Sequence, residues 1–349
     1  MIRVFTDLND IKTQWDTVDL KIFLKVNFIQ AFYRAHSKIL HLFILGKNLR
    51  IYSHIFTLRF TQTKKYFLNS SLIPLFLNLL RIRILYLTNT FITNIPFYYS
   101  NDIISLKQIL SSIKHSYSMI VIPDLLYKNL YEIKGKYFQV EVEEDMVLKI
   151  DKSWRTFDDY LKSLRTKYRK KINLIIKKNE KIDVRILNNE NLENYSVIMQ
   201  KMFDQIARES SFKGPLFNID TFRLLEHEVV KVYGYFINDR IVAFSSEIKY
   251  NNNLYSYYTG FNKELNKTTP IYGRILTEHI KNAIKFNMTS LVLGRTANEF
   301  KSNFGATPIK SYVYIRIKNR ILHFFLKPII SRLSVKSWII RSPFKKTTL

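Results

Sequence analysis

The stretch that decides the fold begins TTPIYGRILTEHIKNAIKFN (268–287) and, after Met288 to Ser290, continues LVLGRTANEFKSNFGATPIKS (291–311). Its pattern predicts a turn large enough to hold a phosphate group, then a crossover helix and a buried strand that ends at Gly294. A polar Arg-Thr-x-x-Glu-x-Lys cluster follows the strand. Polar groups at the carboxyl end of a strand are typical of the ligand-binding edge of an α/β sheet.

The segments on either side predict the rest of this fold. KIDVRIL (181–187) alternates like a strand, ENLENYSVIMQKMFDQIARES (190–210) has helical spacing, and a second helix is predicted in TFRLLEHEV (221–229). KVYGYFINDRIVAFSSEIKYNNNLYSYYTGF (231–261) predicts three strands separated by Asn-rich turns. With a last strand in SYVYIRIK (311–318), the order is strand, two helices, three strands, helix, strand, short helix, strand.

A strongly basic helix is predicted in TFDDYLKSLRTKYRKKINLIIKKN (156–179), which begins with the capping pair Thr156 and Asp159. Its apolar residues recur every three or four positions and predict one continuous face. The opposite face carries cations alone: Lys162, Arg165, Lys167, Arg169, Lys170, Lys171, Lys177 and Lys178. Like charges at this density disfavour an isolated helix, so an anionic partner or simple solvation explains the face.

The first half of the chain resembles the second more loosely. HLFILGKNLRIYSHIFTLRF (41–60) predicts a hairpin like that of 232–250, and an apolar helix from Ser71, the strand RILYLT and the strand YSMIVIPDL follow it. We therefore predict two tandem domains of one fold, a degenerate one at 1–150 and a working one at 151–320, followed by a basic amphipathic tail at 321–349.

Composition limits the classes of function. A chain of 349 residues with 47% apolar residues buries a large core, and its net charge of +27 attracts anionic partners. Codon bias is an equally good explanation of this charge. The chain has no cysteine, which excludes disulfides and thiolate chemistry and favours a reducing cytoplasm. The tail could lie on the inner face of an anionic membrane, or it could be a last helix packed on its domain.

Two candidate sites follow from the deciding stretch. Pro270, Tyr272, Gly273 and Arg274 begin the crossover helix, where free backbone amides and the helix dipole favour a phosphate. Such a start is also ordinary helix capping. The second site is formed by Arg295, Glu299 and Lys301 after the buried strand. There Glu299 could accept the proton of an amine, unless the cluster is only a salt-linked surface turn.

The meander supplies another possible acid and base. Glu247 and Tyr258 lie on neighbouring predicted strands, and a carboxylate and a phenol so placed could act as base and acid in acyl transfer. Tyrosines in sheets are usually packing residues. Motifs of serine hydrolases, P-loop enzymes, zinc proteases and dinucleotide-binding proteins do not occur in the sequence. The seven histidines lack metal-ligand spacing, so no metal site is expected.

The element order from Lys181 to Lys318 resembles the GNAT fold of N-acyltransferases, with a mixed, mostly antiparallel sheet flanked by helices. KSWRTFDDYLKSLRTKYRKKI (152–172) and LVLGRTANEFKSNFGATP (291–308) resemble the bacterial branch related to Fem-type aminoacyltransferases of peptidoglycan bridges. The resemblance implies an acyl or aminoacyl donor, carried by coenzyme A or tRNA, and an amine acceptor. GNAT enzymes usually have an Arg/Gln-x-x-Gly-x-Gly/Ala phosphate loop, of which TTPIYGR keeps only Gly273.

These observations lead to two hypotheses of different classes. The first is an acyltransferase that forms an amide on an amino sugar, a lipid-linked precursor or a peptide. In it Lys167, Arg169, Arg274, Arg295 and Lys301 hold anionic groups, the amides near Gly273 bind donor phosphates, and Glu299 or Glu247 accepts the amine proton. The second is a non-catalytic protein that binds nucleic acid, or serves as a scaffold at the membrane surface, through the basic helix.

Overall fold

The computed structural model describes residues 2–60, 81–131, 137–208, 212–225, 229–330 and 337–345. The strands are β1 (Arg3–Phe5), β2 (Leu40–Gly46), β3 (Leu49–Phe60), β4 (Arg81–Tyr86), β5 (Tyr98–Ser100), β6 (Ile104–Ser105), β7 (Met119–Pro123), β8 (Leu130–Tyr131), β9 (Phe138–Lys149), β10 (Asp183–Ile186), β11 (Phe212–Lys213), β12 (Val230–Ile237), β13 (Arg240–Tyr250), β14 (Asn253–Phe261), β15 (Ser290–Gly294) and β16 (Thr307–Ile317).

The helices are α1 (Lys12–Trp15), α2 (Val26–Ala35), α3 (Leu106–Ser112), α4 (Asp124–Tyr127), α5 (Phe157–Ser163), α6 (Thr166–Lys178), α7 (Asn189–Ala207), α8 (Thr221–Leu224), α9 (Lys263–Thr268), α10 (Ile271–Lys285), α11 (Asn298–Ser302) and α12 (Arg320–Ile330). A short 3₁₀ turn covers Ile22–Leu24.

The chain forms two compact units. The first comprises Met1–Val142, Ser210–Leu224 and Ser311–Lys336, and the second comprises Glu143–Glu209, Leu225–Lys310 and Ser337–Leu349. Each unit therefore takes residues from more than one part of the sequence. The expected domains at 1–150, 151–320 and 321–349 stay a prediction, as does their origin by duplication.

In the first unit, the strands lie in the order β1-β2-β3-β4-β7-β16, and β5 and β11 also pair with β3. All of these neighbours are antiparallel except β4 and β7, which are parallel. The predicted hairpin is β2 and β3, and the strands RILYLT and YSMIVIPDL are β4 and β7. The apolar helix predicted from Ser71 lies outside the described residues.

In the second unit, the strands lie in the order β9-β15-β14-β13-β12-β10. The predicted meander is β12, β13 and β14. Its two turns place Asn238, Asp239, Asn251 and Asn252 at positive φ, which Asn and Asp tolerate better than most side chains. The crossover helix α10 then leads to β15, which is parallel to β14. The expected mixed α/β fold, with a large and mostly antiparallel sheet flanked by helices, is confirmed.

The prediction of one continuous basic helix is wrong, because the structure has two helices there, α5 and α6. The Thr156 and Asp159 capping box is present at the start of α5. Leu164 and Arg165 are extended, and Leu164 forms a β-bridge with Phe344. The Arg165 N–H donates to the Pro343 carbonyl at 2.8 Å. The break therefore depends on pairing with a segment nearly 180 residues away, which helical periodicity does not encode.

The predicted tail is divided between the units. In the first unit, the α12 side chains Ile321, Phe324 and Phe325 are 72%, 74% and 63% exposed, whereas Leu326 is buried. In the second unit, residues 337–345 lie against α5 and α11. Among the described residues, no helix is both long enough and apolar enough to cross a membrane.

Candidate active site

The second unit opens where its two parallel strands part. β14 and β15 pair from Asn253 with Ser290 to Tyr255 with Val292, and within the described ladder they pair no further. β14 nevertheless runs on to Phe261 and β15 to Gly294. The strand edges beyond Tyr255 and Val292 therefore offer backbone groups at the carboxyl ends of the strands, where α/β sheets bind ligands.

A chain of hydrogen-bonded side chains lies at this opening. The Nδ1 of His279 is 2.6 Å from Oε1 of Glu247, and its Nε2 is 3.1 Å from Oγ of Ser256. The Nδ2 of Asn282 donates to both Glu247 oxygens at 3.0 and 3.1 Å. Glu247 is 2% exposed and His279 is fully buried, whereas Ser256 is partly exposed. The chain of bonds thus leads from a buried carboxylate outward to a hydroxyl.

Secondary structure explains why these side chains meet. Glu247 on β13 and Ser256 on β14 are direct cross-strand partners and share a face of the sheet. A β-bulge follows at once, because Ser245 pairs with Thr259. Bulges occur often beside active sites, where they redirect side chains. His279 and Asn282 are three positions apart on α10 and so lie on one face of that helix.

Glu247 has a further neighbour in Tyr233 on β12. Burial, the nearby Glu247 charge and a hydrogen bond to its carboxylate together raise the pKa of Tyr233. A buried carboxylate needs several donors to offset the loss of water, and Glu247 has them in His279, Asn282 and Tyr233. Glu247 therefore orients His279 instead of facing an open site. Its predicted role as a base stays a prediction.

Tyr258, the predicted acid, lies at the bulge of β14. Its N–H donates to Ser246 Oγ at 2.8 Å, and its ring is 5.3 Å from that of Phe203 on α7, edge on. Burial raises the pKa of Tyr258. The phenol is thus held in its neutral form, and its predicted role is not tested by this geometry.

The predicted phosphate turn is the start of α10. Pro270 precedes the helix as its N-cap, and the Tyr272 N–H donates to Asn266 Oδ1 at 2.9 Å. The Ile271 N–H donates to the Thr269 carbonyl at 2.6 Å. Two amides of the first turn are therefore already bonded within the chain, and a phosphate would have to displace these acceptors.

Gly273 and Arg274 both have local partners. A Cβ at Gly273 would lie 2.9 Å from Cδ1 of Ile175 on α6, so the glycine lets the two helices approach closely. Arg274 pairs with Glu278, one turn along α10, at 2.6 Å. The cofactor-binding roles predicted for Gly273 and Arg274 stay predictions. Close packing of two helices is enough to explain the glycine, and an intrahelical ion pair is enough to explain the arginine.

The second predicted cluster surrounds a buried lysine. The Nζ of Lys301 donates to the carbonyls of Gly294 and Arg295 at 2.9 and 2.7 Å, which ties α11 to the end of β15. Burial lowers the pKa of Lys301 to about 7, although the nearby Asp145 and Glu143 raise it. The Nε of Arg295 is 3.8 Å from an Asp145 oxygen. Lys301 therefore supports the strand end directly.

Glu299 on α11 pairs with Arg341, which belongs to the segment 337–345. The Arg341 N–H also donates to Ser302 Oγ at 3.2 Å, so the segment is held against α11 by two contacts. The proposal of Glu299 as base is left open by this pairing.

Helix α6 brings the two predicted clusters together. Its Ile175 packs on Gly273, and its Lys171 donates to Asn303, just beyond α11, at 3.2 Å. The rings of Tyr272 and Phe300 are 5.6 Å apart and connect the clusters directly. Lys167 is exposed and Arg169 is partly buried on the same helix. The sequence therefore identified motifs that meet in space, at the basic helix.

Sequence reasoning missed His279, Ser256 and Asn282. His279 stands among the buried apolar residues of α10, between Leu276 and Ile280. A histidine on an apolar helix face is the available signal, but the spacing of histidines along the sequence indicates only whether they could bind a metal. Among the described residues, no cluster of His, Asp and Glu side chains could hold a metal ion.

Comparisons with known proteins agree with this fold. Residues 162–302 match the family model of the acetyltransferase (GNAT) domain. No curated protein matches the chain. A conserved protein of unknown function from Bacteroides thetaiotaomicron has a similar structure, with 9% identity and a TM-score of 0.50, over 91% of this chain and 100% of that one.

Two further solved structures are similar over most of the chain. FemX has 11% identity and a TM-score of 0.48, over 94% of this chain and 100% of that one. The C-terminal domain of a putative lysylphosphatidylglycerol synthetase from Agrobacterium fabrum has 10% identity and a TM-score of 0.49, over 86% and 90%. The matched domain contains α6, the Glu247–His279–Ser256 chain and α11. The predicted resemblance is thus confirmed for this part of the chain: residues 162–302 form an acetyltransferase domain of the GNAT family.

Proposed function

We propose that this protein transfers an acyl or aminoacyl group from a carrier, coenzyme A or tRNA, to the amine of an amino sugar, a lipid-linked precursor or a peptide. The observation that supports this most is the Glu247–His279–Ser256 chain at the opening between β14 and β15. His279 is the base that accepts the amine proton through the hydroxyl of Ser256, and Glu247 holds its ring. Direct transfer between two bound substrates needs little more than positioning and such a base.

Electrostatics favours tRNA as the carrier. Lys167, Lys170, Lys177 and Lys178 are exposed on α6, and the whole chain carries a net charge of +27. A row of cations suits a polyphosphate backbone better than a single nucleotide. At the start of α10, by contrast, the amides of Ile271 and Tyr272 are already bonded. An aminoacyl-tRNA donor is therefore the first expectation and acyl-CoA the second.

The exposed helix α12 supports a peripheral contact with a membrane. Phe324 and Phe325 are mostly exposed, and Arg320 and Lys327 lie on the same helix. Aromatic side chains beside cations favour the interface of an anionic bilayer. On this proposal the enzyme works in the cytoplasm, at the inner face of the membrane, where a lipid-linked acceptor is within reach.

Two measurements test the proposal. Thermal unfolding is followed with aminoacyl-tRNA, acetyl-CoA and free CoA at moderate salt, since a ligand at a hundred times its Kd adds about 2.7 kcal/mol to stability. Transfer to an amine is then measured for the wild type, His279→Gln and Glu299→Gln. We expect turnover to be abolished in His279→Gln and kept in Glu299→Gln. The opposite pattern would make Glu299 the base.

The exposed cations of α6 also favour a second candidate, a non-catalytic protein that binds nucleic acid or serves as a scaffold at the membrane surface. It requires tRNA binding that falls steeply with salt and is unchanged in His279→Gln. Binding of this kind, together with no transfer by the wild type to any amine, would replace the first proposal.

A further inference from the structure

The first unit contains an open cavity of about 380 Å³ between α3 and the sheet, a volume within the range of small-molecule sites. Leu106 and Leu110, one turn apart on α3, line one side of it, and Ile120 on β7 lines the other. Ile120 is the second residue of β7, so the cavity lies at the amino end of that strand. It is therefore separate from the carboxyl ends of the parallel strands, where α/β sheets bind their substrates.

Three cations lie at this cavity: Lys107 on α3, Arg316 on β16 and Lys318 just beyond β16. Arg316 is partly buried, and its cross-strand partner on β7 is Ile120 and not a carboxylate. Within the described parts of the chain, none of the three cations forms an ion pair with an acid. A partly buried charge without a counter-charge costs free energy. The cavity therefore holds positive charge that an anionic ligand would neutralise.

Neighbouring titratable groups do not compensate this charge. Burial lowers the pKa of His323 on α12, and the charges of Lys327 and Arg316 lower it further. Burial raises the pKa of Tyr137, although the nearby Arg316 acts in the opposite direction. The phenol of Tyr137 therefore stays neutral and supplies no negative charge to the guanidinium. The cavity thus combines apolar walls with a net positive charge.

The two tyrosines of the cavity favour an aliphatic ligand over an aromatic one. The Nζ of Lys318 is 3.8 Å from the centre of the Tyr117 ring, and the guanidinium carbon of Arg316 is 5.9 Å from the centre of the Tyr137 ring. One face of each ring is therefore already occupied by a cation. A ligand that enters the cavity then meets mainly the leucine side chains of α3.

We propose that this cavity binds a small amphipathic anion, with its aliphatic chain against Leu106 and Leu110 and its carboxylate or phosphate head at Arg316. The planar guanidinium suits either head, because it donates two parallel hydrogen bonds to a pair of oxygens. Lys107 and Lys318 are exposed at the rim and add longer-range attraction. This is a ligand site of the first unit, and the inference goes beyond the proposed acyl transfer and does not depend on it.

Calorimetric titration of the full chain, below the concentrations at which the ligands form micelles, tests the proposal. Decanoate and decyl phosphate combine the chain with an anionic head and should bind. Decanol lacks the charge, decyltrimethylammonium reverses it, and acetate and inorganic phosphate lack the chain, so none of these should bind at the same concentrations. Tighter binding of decyl phosphate would indicate a phosphorylated lipid as the natural ligand, and tighter binding of decanoate a free carboxylic acid. Equal binding of decanol or of inorganic phosphate would overturn the inference.

Variants locate the head and the chain of the ligand. Arg316→Gln should raise the Kd of both anions by at least about tenfold, because it removes a charge-assisted hydrogen bond. Leu110→Trp fills the cavity and should abolish binding. Lys47→Gln is the matched control, because Lys47 is an exposed cation of the same unit in the turn between β2 and β3. Its Kd should equal that of the wild type, and equal losses in Lys47→Gln and Arg316→Gln would assign binding to total charge.

The exposed aromatic residues of α12 are the competing site for such a ligand, because Phe324 and Phe325 also offer apolar surface beside cations. A double variant, Phe324→Ser with Phe325→Ser, should leave the Kd unchanged. A photoreactive analogue of decanoate that carries a diazirine is also crosslinked to the wild type, so this result does not depend on the folding of any variant. Peptide sequencing should find the label on α3 or at Tyr117. Label confined to α12 or to the second unit would overturn the inference.

Discussion

At the residue scale, single buried groups define the second unit. Lys301 is 2% exposed and makes its hydrogen bonds to two carbonyls at the end of β15. Gly273 lies in close contact with Ile175. Each residue was predicted to bind a ligand, and each has a structural partner in the fold. Substitutions of Lys301 and Gly273 distinguish a structural role from a role in ligand binding.

Lys301 should make stability depend on pH. Burial lowers its pKa to about 7, well below the value of about 10.4 in an unfolded chain. Between these values the unfolded chain binds more protons, so the free energy of unfolding rises with pH, by at most about 1.4 kcal/mol per pH unit. In Lys301→Met this rise should disappear. Urea midpoints at pH values of about 7, 8 and 9 measure it, and equal slopes in the two proteins would contradict the prediction.

Replacing Gly273 by alanine should overpack the contact between α6 and α10. The added Cβ would lie 2.9 Å from Ile175 Cδ1, and overpacking costs about 1 to 3 kcal/mol. Ile175→Ala removes the opposing atoms. The double variant should therefore be more stable than the sum of the two single destabilisations predicts, as urea unfolding would show. Strict additivity would mean that the glycine is not there for packing.

At the element scale, the segment 337–345 is held on the second unit by contacts that are far apart in sequence. Phe344 packs on Trp154 and Tyr160, and the Lys345 N–H donates to the Ser163 carbonyl at 3.0 Å. Arg341 pairs with Glu299. The same segment imposes the break between α5 and α6, so it is part of the fold of this unit.

Two glycines of this unit form a matched pair for testing that contact. Gly305 has φ +93° and a Cβ there would collide with the Phe344 ring, whereas Gly294 has φ +70° and nothing within 4 Å. Gly294→Ala should cost only the strain of a left-handed residue, about 1 to 2 kcal/mol. Gly305→Ala should cost more and should speed hydrogen exchange at Lys345 and Arg165. Equal destabilisation in the two variants would mean that the Phe344 ring can move aside without a loss of folding free energy.

At the scale of the whole molecule, charge is the dominant property. The chain has 55 Lys and Arg against 28 Asp and Glu. Total charge attracts any polyanion, whereas a specific site requires cations in one place. Helix α6 supplies such a place within the second unit, since it packs on the start of α10.

Affinity for tRNA should therefore depend on where the charge is removed. With Lys167→Glu and Lys170→Glu on α6, the slope of log K against log salt should become less steep by roughly 0.7 to 0.9 for each phosphate that the protein no longer neutralises. Lys12→Glu with Lys47→Glu changes the net charge equally in the first unit and should leave the slope nearly unchanged. Filter binding at several salt concentrations measures both, and equal effects of the two pairs would assign binding to total charge.

The sequence by itself determined what is local. The Asn-rich turns at 238–239 and 251–252 require positive φ, the alternation of 231–261 gives three strands, and the spacing of 271–285 gives a helix. These patterns predict β10, α7, the strands β12 to β14, α10, β15 and α11 in their observed order, but not the short helix α9 (Lys263–Thr268).

Only the tertiary structure decided which side chains meet. Ser256 and Glu247 lie 23 and 32 positions from His279, and Arg341 reaches Glu299 across 42. No periodicity links such residues, because their contact depends on strand register, on a bulge and on how α10 packs against the sheet. The physical reason is that hydrogen bonds of side chains form between neighbours in space, and a sequence pattern records only neighbours along one element.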